Sequence, residues 1–139
     1  MTPEQKKIVQ RTWRLVVPIA DKAATLFYDR LFEIDPSTRP MFRAETLAEQ
    51  RKKLVQILAA AVSGLDDLDA LVPVVKDLGR RHAGYGVTAA HYDSVGQALL
   101  WTLEQGLGAA WTPEAKAAWT VVYGLIASVM QDAAESAAA

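Results

Sequence analysis

The chain has 139 residues and a mass of 15.2 kDa, which is the size of a single domain. Its hydrophobic fraction of 51% indicates a folded globular chain and excludes a disordered one. Fifteen Lys and Arg against sixteen Asp and Glu give a net charge of -1, which argues against a nucleic-acid-binding protein. Because there is no Cys, disulfides, thiolate zinc sites, iron–sulfur clusters and cofactors linked through Cys are excluded.

Membrane and export signals are also missing from the sequence. The longest apolar run, residues 57–62, is far shorter than the ~18 residues of a membrane span. The first residues mix charges of both signs and lack the apolar core of a signal peptide, so we expect a cytoplasmic protein without a membrane span.

The first half of the chain has the pattern of helices separated by proline. Thr2 caps a first helix that Pro18 kinks or ends, and a second helix follows over residues 19–33. Asp35 caps a short helix, and a longer one is predicted over residues 46–63. On the inward face of that longer helix, at spacings of three and four, we expect Leu47, Gln50, Leu54, Ile57 and Ala61.

The second half continues the helical pattern, now interrupted by glycines. A helix opens at the acidic residues 66–69, carries His82 and breaks at Gly84. Thr88 caps the next helix, and Thr112 precedes the proline that starts the last one. These signals predict an all-α domain of six to eight helices over residues 1–139, with a frayed tail over about 132–139.

Four polar residues occupy positions where the helical pattern calls for apolar ones: Tyr28, Gln50, His82 and Tyr92. A buried polar group without a partner costs about 1–3 kcal/mol, so each needs something to bond. They could satisfy one another in a helical core, which is the commoner situation for a lone histidine. Alternatively, a single neutral imidazole suits one axial position on a haem iron, and it does not suit structural zinc, which needs four ligands.

Six short segments in a fixed order carry a family resemblance. They are LFYDRLF followed by DP, MF, QRKKL, LGRRH, YDSVGQALL and AWTVVYG. In this order and at these separations they resemble the globins, and specifically bacterial single-domain haemoglobins and the haem domain of flavohaemoglobins. The resemblance runs from Trp13 to about Met130 and implies a globin fold around a pocket for haem b.

The resemblance also implies roles for individual residues. His82 is the expected proximal ligand of the iron, Phe42 the aromatic side chain that stacks on the haem, and Lys53 a partner for a haem propionate. The side chains implied on the distal side, around the open iron position, are Tyr28, Gln50 and Leu54. A phenol hydroxyl and an amide N–H stabilise dioxygen more than the less polarised carbon monoxide. Leu54 is expected to limit the size of the ligand.

The proximal side departs from the flavohaemoglobin pattern at one position. Tyr92 matches a tyrosine that, in flavohaemoglobins, helps a carboxylate from the last helix to bond the proximal imidazole. That carboxylate position falls on Ala134, with Glu135 one place away. Loss of this partner weakens electron donation to the iron. His91, near a helix start, is expected at the surface or behind the pocket.

The resemblance leaves three functions open. The first is reversible binding of dioxygen, for storage or transport, with nitric oxide and carbon monoxide as further ligands. The second is nitric oxide dioxygenation, for which we expect a separate reductase and single out no catalytic residue. The third is a gas sensor or a haemless signalling module. We expect no output domain, which disfavours the sensor, and His82 with Phe42 argues against the haemless form.

Overall fold

A computed structural model describes residues 1–138, with side chains described as far as Glu135. The described residues form six α-helices and no strand, which confirms the predicted all-α fold. The helices are α1 (Pro3–Val16), α2 (Ala20–Ile34), α3 (Leu47–Gly64), α4 (Leu68–Gly84), α5 (Ala89–Leu107) and α6 (Pro113–Ala138). Single turns of 3₁₀ helix lie at Val17–Ile19, Ala44–Thr46 and Gly108–Ala110, and a longer one at Pro36–Met41. No helix in the described part of the chain is long and apolar enough to cross a bilayer.

The helix ends lie where the sequence signals place them. At the start of α1, the Thr2 hydroxyl accepts a hydrogen bond from the Gln5 backbone N–H at 3.1 Å, and the Gln5 side chain accepts from the Thr2 N–H at 3.0 Å. Asp67 caps α4 by accepting from the Ala70 N–H at 3.3 Å. Each such cap stabilises its helix by about 1 kcal/mol.

His91 caps α5 from within its first turn. Its Nδ1 accepts a hydrogen bond from the Thr88 backbone N–H at 3.0 Å, and its Nε2 lies 3.3 Å from the Ser37 hydroxyl. Since the N–H can only donate, Nδ1 has no proton and Nε2 carries it. His91 is half-buried and ties the start of α5 to the turn after α2, which is a structural role outside the pocket.

Two hydrophobic clusters hold the helices together. The main cluster joins α1, α2, α3, α5 and α6, and within it the Trp119 indole N–H donates to the buried Thr12 hydroxyl at 2.9 Å. A smaller cluster joins α4, α5 and α6 through Val75, Tyr92, Ala127 and Met130. Half-buried Tyr123 and Ile126 pack against both clusters.

The predicted inward face of α3 is wrong at one residue. Ile57 is 39% exposed, whereas Leu58 is half-buried and packs against the main cluster. Toward its end, α3 is in contact with the core through Leu58, Ala61 and Val62. Leu58 therefore takes the inward position predicted for Ile57, because neighbouring helices and not spacing alone decide which side of the helix is covered.

The predicted frayed tail, at about residues 132–139, coincides with the end of α6. The helix continues to Ala138, and Ala133 is buried. The side chains of residues 136–139 and the conformation of Ala139 lie outside the described residues, so fraying there stays a prediction.

Candidate functional site

His82 lies in the last turn of α4 and is half-buried. Its Nδ1 is 2.8 Å from the Leu78 carbonyl oxygen. A carbonyl can only accept, so Nδ1 carries the proton and donates, which leaves the lone pair of Nε2 free. Burial lowers the pKa of His82; the Leu78 hydrogen bond opposes this, and the charge of Arg81 adds to it. A neutral imidazole with a free Nε2 is the form that binds a metal.

The described residues contain no cluster of three or more His, Cys, Asp or Glu that could hold a metal ion. A haem iron needs only an axial ligand from the protein, because the porphyrin supplies four equatorial nitrogens.

Tyr28 lies on α2 with only 6% of its surface exposed. Its ring is surrounded by the rings of Phe27, Phe42 and Phe32, at centroid distances of 5.0, 5.2 and 6.1 Å. Burial raises the pKa of Tyr28 to about 12, and the nearby Arg51 charge opposes the rise. The phenol therefore keeps its proton at neutral pH and serves as a hydrogen-bond donor.

The structure brings Tyr28 and Gln50 together, but through the Gln50 backbone. The Tyr28 hydroxyl donates to the Gln50 carbonyl oxygen at 3.4 Å. The half-buried Gln50 side chain makes no hydrogen bond within the described part of the chain. On the same helix, Leu54 is half-buried against the main cluster, while Lys53 is exposed.

Tyr92 lies on α5 with its hydroxyl buried and without a hydrogen-bond partner among the described residues. Its backbone oxygen accepts a hydrogen bond from the Tyr123 hydroxyl at 2.5 Å. On α6, Ala134 is half-buried and Glu135 is exposed. Neither Tyr92 nor His82 therefore has a bonded carboxylate partner in this region.

A profile of the globin family matches residues 25–130. The chain is a globin. Solved structures agree: a bacterial globin from Campylobacter jejuni superposes with a TM-score of 0.87 at 26% identity, covering 99% of both chains. The predicted resemblance to bacterial globins is thereby confirmed.

Two relatives of this globin differ in kind. Neuroglobin of Danio rerio is 29% identical over 143 residues, covering 94% of this chain and 90% of that protein. Flavohemoprotein of Bacillus subtilis (strain 168) is 37% identical over 103 residues, covering 73% of this chain. The match spans only 26% of the length of that flavohemoprotein. Membership of the globin family implies that this chain binds haem.

The residues present in this globin fit a haem. His82 offers a free Nε2, and several apolar side chains on α3 to α6 are only half-buried. They are Leu47, Leu54, Leu58, Leu78, Val95 and Ile126, together with Phe42 from the turn before α3. Covering such surface contributes about 25 cal/mol per Å².

Sequence reasoning missed two features of this region. Arg51, which follows Gln50 on α3, is half-buried and its charge reaches Tyr28. A small cavity of about 20 Å³ lies between α1, α2, α3 and α5, next to Leu54 and Leu58. No local sequence pattern predicts either feature, because each depends on how several helices pack together.

Proposed function

We propose that this globin holds haem b non-covalently through His82 Nε2 and binds dioxygen reversibly. When bound, haem supplies an iron atom with one further coordination position at which diatomic gases bind. The observation that carries the proposal is the state of His82: its Nδ1 proton is committed to Leu78 at 2.8 Å, and burial lowers its pKa. The imidazole is thus oriented and neutral before the cofactor arrives. The predicted cytoplasmic location stays a prediction.

The Tyr28 hydroxyl is the donor proposed for the distal side. Its bond to the Gln50 carbonyl is 3.4 Å long, beyond the usual range for a hydroxyl, and therefore weak. The proton can turn toward a better acceptor at little cost, such as the outer atom of a polarised diatomic ligand. The free amide of Gln50 is the proposed second donor, and Leu54 the side chain that restricts ligand size.

The cavity beside Leu54 supports the binding of a small apolar gas. Its volume of about 20 Å³ accommodates one small molecule, and its walls are apolar apart from Thr102. An apolar cavity of this size has too few polar partners to retain water. We propose that it holds dioxygen, nitric oxide or carbon monoxide near the distal side.

Phe42 and Lys53 are the further contacts proposed for the haem. Phe42 is half-buried and fixed by Phe32, at a centroid distance of 5.8 Å, so its ring can be covered by the porphyrin without reorganising. Lys53 is exposed, and an ion pair with a propionate there contributes about 1 kcal/mol or less.

Nitric oxide dioxygenation with a separate reductase is the second candidate. It is favoured by the 37% identity to the flavohemoprotein of Bacillus subtilis. The proximal side favours reversible binding instead. His82 donates only to a neutral carbonyl, and the Tyr92 hydroxyl has no partner among the described residues. Without a carboxylate, electron donation through the imidazole is weaker. A gas sensor is the third candidate, with no observation to favour it.

The test is an absorption spectrum of the purified, reduced protein before and after dioxygen is added. We expect a Soret band that shifts with dioxygen and returns when the gas is removed. Many turnovers of nitric oxide to nitrate with a supplied reductant would favour the dioxygenase instead. No Soret band after haem reconstitution would overturn both.

We expect Tyr28→Phe to speed the departure of dioxygen by about 10- to 100-fold, because a hydrogen bond to a partly charged acceptor is worth about 1.5–3 kcal/mol. The measurement is the dissociation rate by stopped-flow spectroscopy. Carbon monoxide should leave at a nearly unchanged rate. Tyr85→Phe, which removes the same atom from a tyrosine that is 69% exposed, is the matched control. Equal rates in the Tyr28 and Tyr85 variants would contradict a distal role for Tyr28.

A further inference from the structure

Positive charge is concentrated in two segments that flank the candidate site. Residues 39–53 and 76–81 contain eight of the fifteen Lys and Arg but only three of the sixteen Asp and Glu, which gives a net charge of +5. The seven cations and thirteen carboxylates in the rest of the chain give −6. The overall charge of −1 is therefore the balance of two opposite regions, and we call the two positive segments the basic rim.

The two segments of the basic rim lie at the same end of the helix pair α3 and α4. Only three residues, 65–67, join these helices, and beside this link a Cβ on Gly64 would lie 2.9 Å from the Leu71 side chain. Helices joined by so short a link are antiparallel neighbours. Gln50 stands 15 residues before the link and His82 stands 15 residues after it, so both lie near the open end of the pair. The basic rim therefore borders the candidate site from both helices.

The cations of the basic rim are exposed and largely unpaired. All of them are exposed except Arg51, which is half-buried. Within the described residues, Arg81 is the one member that forms an ion pair, with Asp77. The exposed members without an ion pair there include Arg43, Lys52, Lys53 and Arg80. Two haem propionates would lower the net charge of +5 to +3, which leaves positive charge for a partner.

Two features of the basic rim favour a protein as that partner. Glu45, Glu49 and Asp77 stand among the cations and repel a uniformly anionic lipid surface or nucleic acid, whereas a protein surface can place cations opposite them. Tyr85 follows α4, is 69% exposed, and has its ring centroid 6.0 Å from that of His82. Tyrosine is enriched in the contact surfaces of protein complexes.

We propose that the basic rim docks an acidic flavoprotein that reduces the haem iron. This proposal rests on the proposed function, because dioxygen binds reversibly to ferrous iron. The flavin hydroquinone anion gives one electron to the ferric iron and becomes the neutral semiquinone, the iron becomes ferrous, and no proton is transferred. A flavin suits this step because it can release its electrons singly.

Docking of the donor at the basic rim brings the flavin next to the site that holds the iron. Opposite charges on the two proteins steer their encounter and raise the association rate by about 10- to 1,000-fold. Electron-transfer complexes use small interfaces, below about 1,200 Å². Exposed charges around one exposed tyrosine are therefore sufficient for a complex that must also separate quickly.

The test is reduction of the ferric, haem-loaded chain by reduced flavodoxin, a small acidic flavoprotein. The reaction is followed by stopped-flow spectroscopy under carbon monoxide, which traps the ferrous iron. We expect the second-order rate constant to fall at least about 10-fold between about 0.01 and 0.15 M ionic strength. Over this range the Debye length shortens from about 30 to 8 Å, so the attraction between the two proteins is screened.

A double charge reversal, Lys52→Glu with Arg80→Glu, should slow this reduction at least about 10-fold at low ionic strength and weaken its dependence on salt. Neither residue is among the proposed haem contacts. Lys7→Glu with Arg11→Glu is the matched control, because both residues are exposed on α1 and the change in net charge is the same. The control should retain most of the rate. The salt dependence of the unaltered chain needs no variant and tests the attraction even if a variant does not fold.

A second measurement locates the contact without electron transfer. Oxidised flavodoxin is added to the ¹⁵N-labelled chain, loaded with haem and saturated with carbon monoxide. The backbone amide signals of residues 39–53 and 76–85 should shift saturably, while those of α1 stay unchanged.

Three results would overturn the proposal. One is a reduction rate that does not depend on ionic strength or is equal in the two double variants. Another is amide shifts that lie mainly outside the basic rim. The third is tighter binding to vesicles of equal parts phosphatidylserine and phosphatidylcholine than to flavodoxin, which would assign the rim to a lipid surface.

Failure of the proposed function gives a different result, the absence of a Soret band. Complete reduction by dithionite, a small reductant that needs no docking surface, combined with no salt-dependent reduction by flavodoxin, would reject the role of the basic rim alone.

Discussion

Haem should be released at least about 100-fold faster from a His82→Gly variant than from the unaltered globin. Removing only the group that hydrogen-bonds to a metal ligand typically lowers the affinity for the metal by about 10- to 100-fold. Loss of the ligand itself should therefore lower the affinity further. In the structure, no second histidine can substitute, because both ring nitrogens of His91 are engaged at the start of α5. The measurement is transfer of haem to an excess of apomyoglobin, followed in the Soret band.

Two controls keep this result interpretable. His91→Gln removes the other histidine and should retain haem, with only the stability cost of a lost helix cap, about 1 kcal/mol. Free imidazole added to His82→Gly should restore the Soret band, because the small side chain leaves room for a replacement ligand. If His82→Gly keeps its haem as long as His91→Gln does, His82 is a core histidine and not the ligand.

The helices could be predicted from the sequence because their signals are local. Thr2, Asp67 and Thr88 each stand beside a helix start, and caps depend on only three or four neighbouring residues. The burial of Tyr28 and Tyr92 also followed from periodicity, and both are less than 9% exposed. Periodicity failed at Ile57, where the arrangement of other helices decides which side of α3 is covered.

The residues of the candidate site could be predicted from the sequence, but their hydrogen bonds could not. The sequence indicates that Tyr28 and Gln50 meet, yet the contact uses the Gln50 backbone oxygen, which no residue type encodes. The tautomer of His82 likewise depends on the Leu78 carbonyl, a group every residue has.

Substituting Gly79 with alanine should destabilise this globin by about 3 kcal/mol, at the upper end of typical overpacking costs. A Cβ at this position would lie 2.3 Å from the Met130 carbonyl oxygen and 2.6 Å from its Cα. These are backbone atoms of α6, so no side-chain rotation can relieve the contact, and α4 must move away. His82 follows Gly79 on α4 by less than one turn, so the same movement displaces the proposed ligand.

The measurement is urea unfolding of the haem-free chain together with the haem-transfer rate, and Gly84→Ala is the matched control. Gly84 ends the same helix, and a Cβ there meets nothing within 4 Å. Gly96→Ala should fall between the two, because its Cβ would meet the Tyr123 ring at 2.8 Å, and a side chain can shift where a backbone cannot. Equal stability of Gly79→Ala and Gly84→Ala would contradict the close packing of α4 on α6. Faster haem loss in Gly79→Ala alone would show that this packing also positions His82.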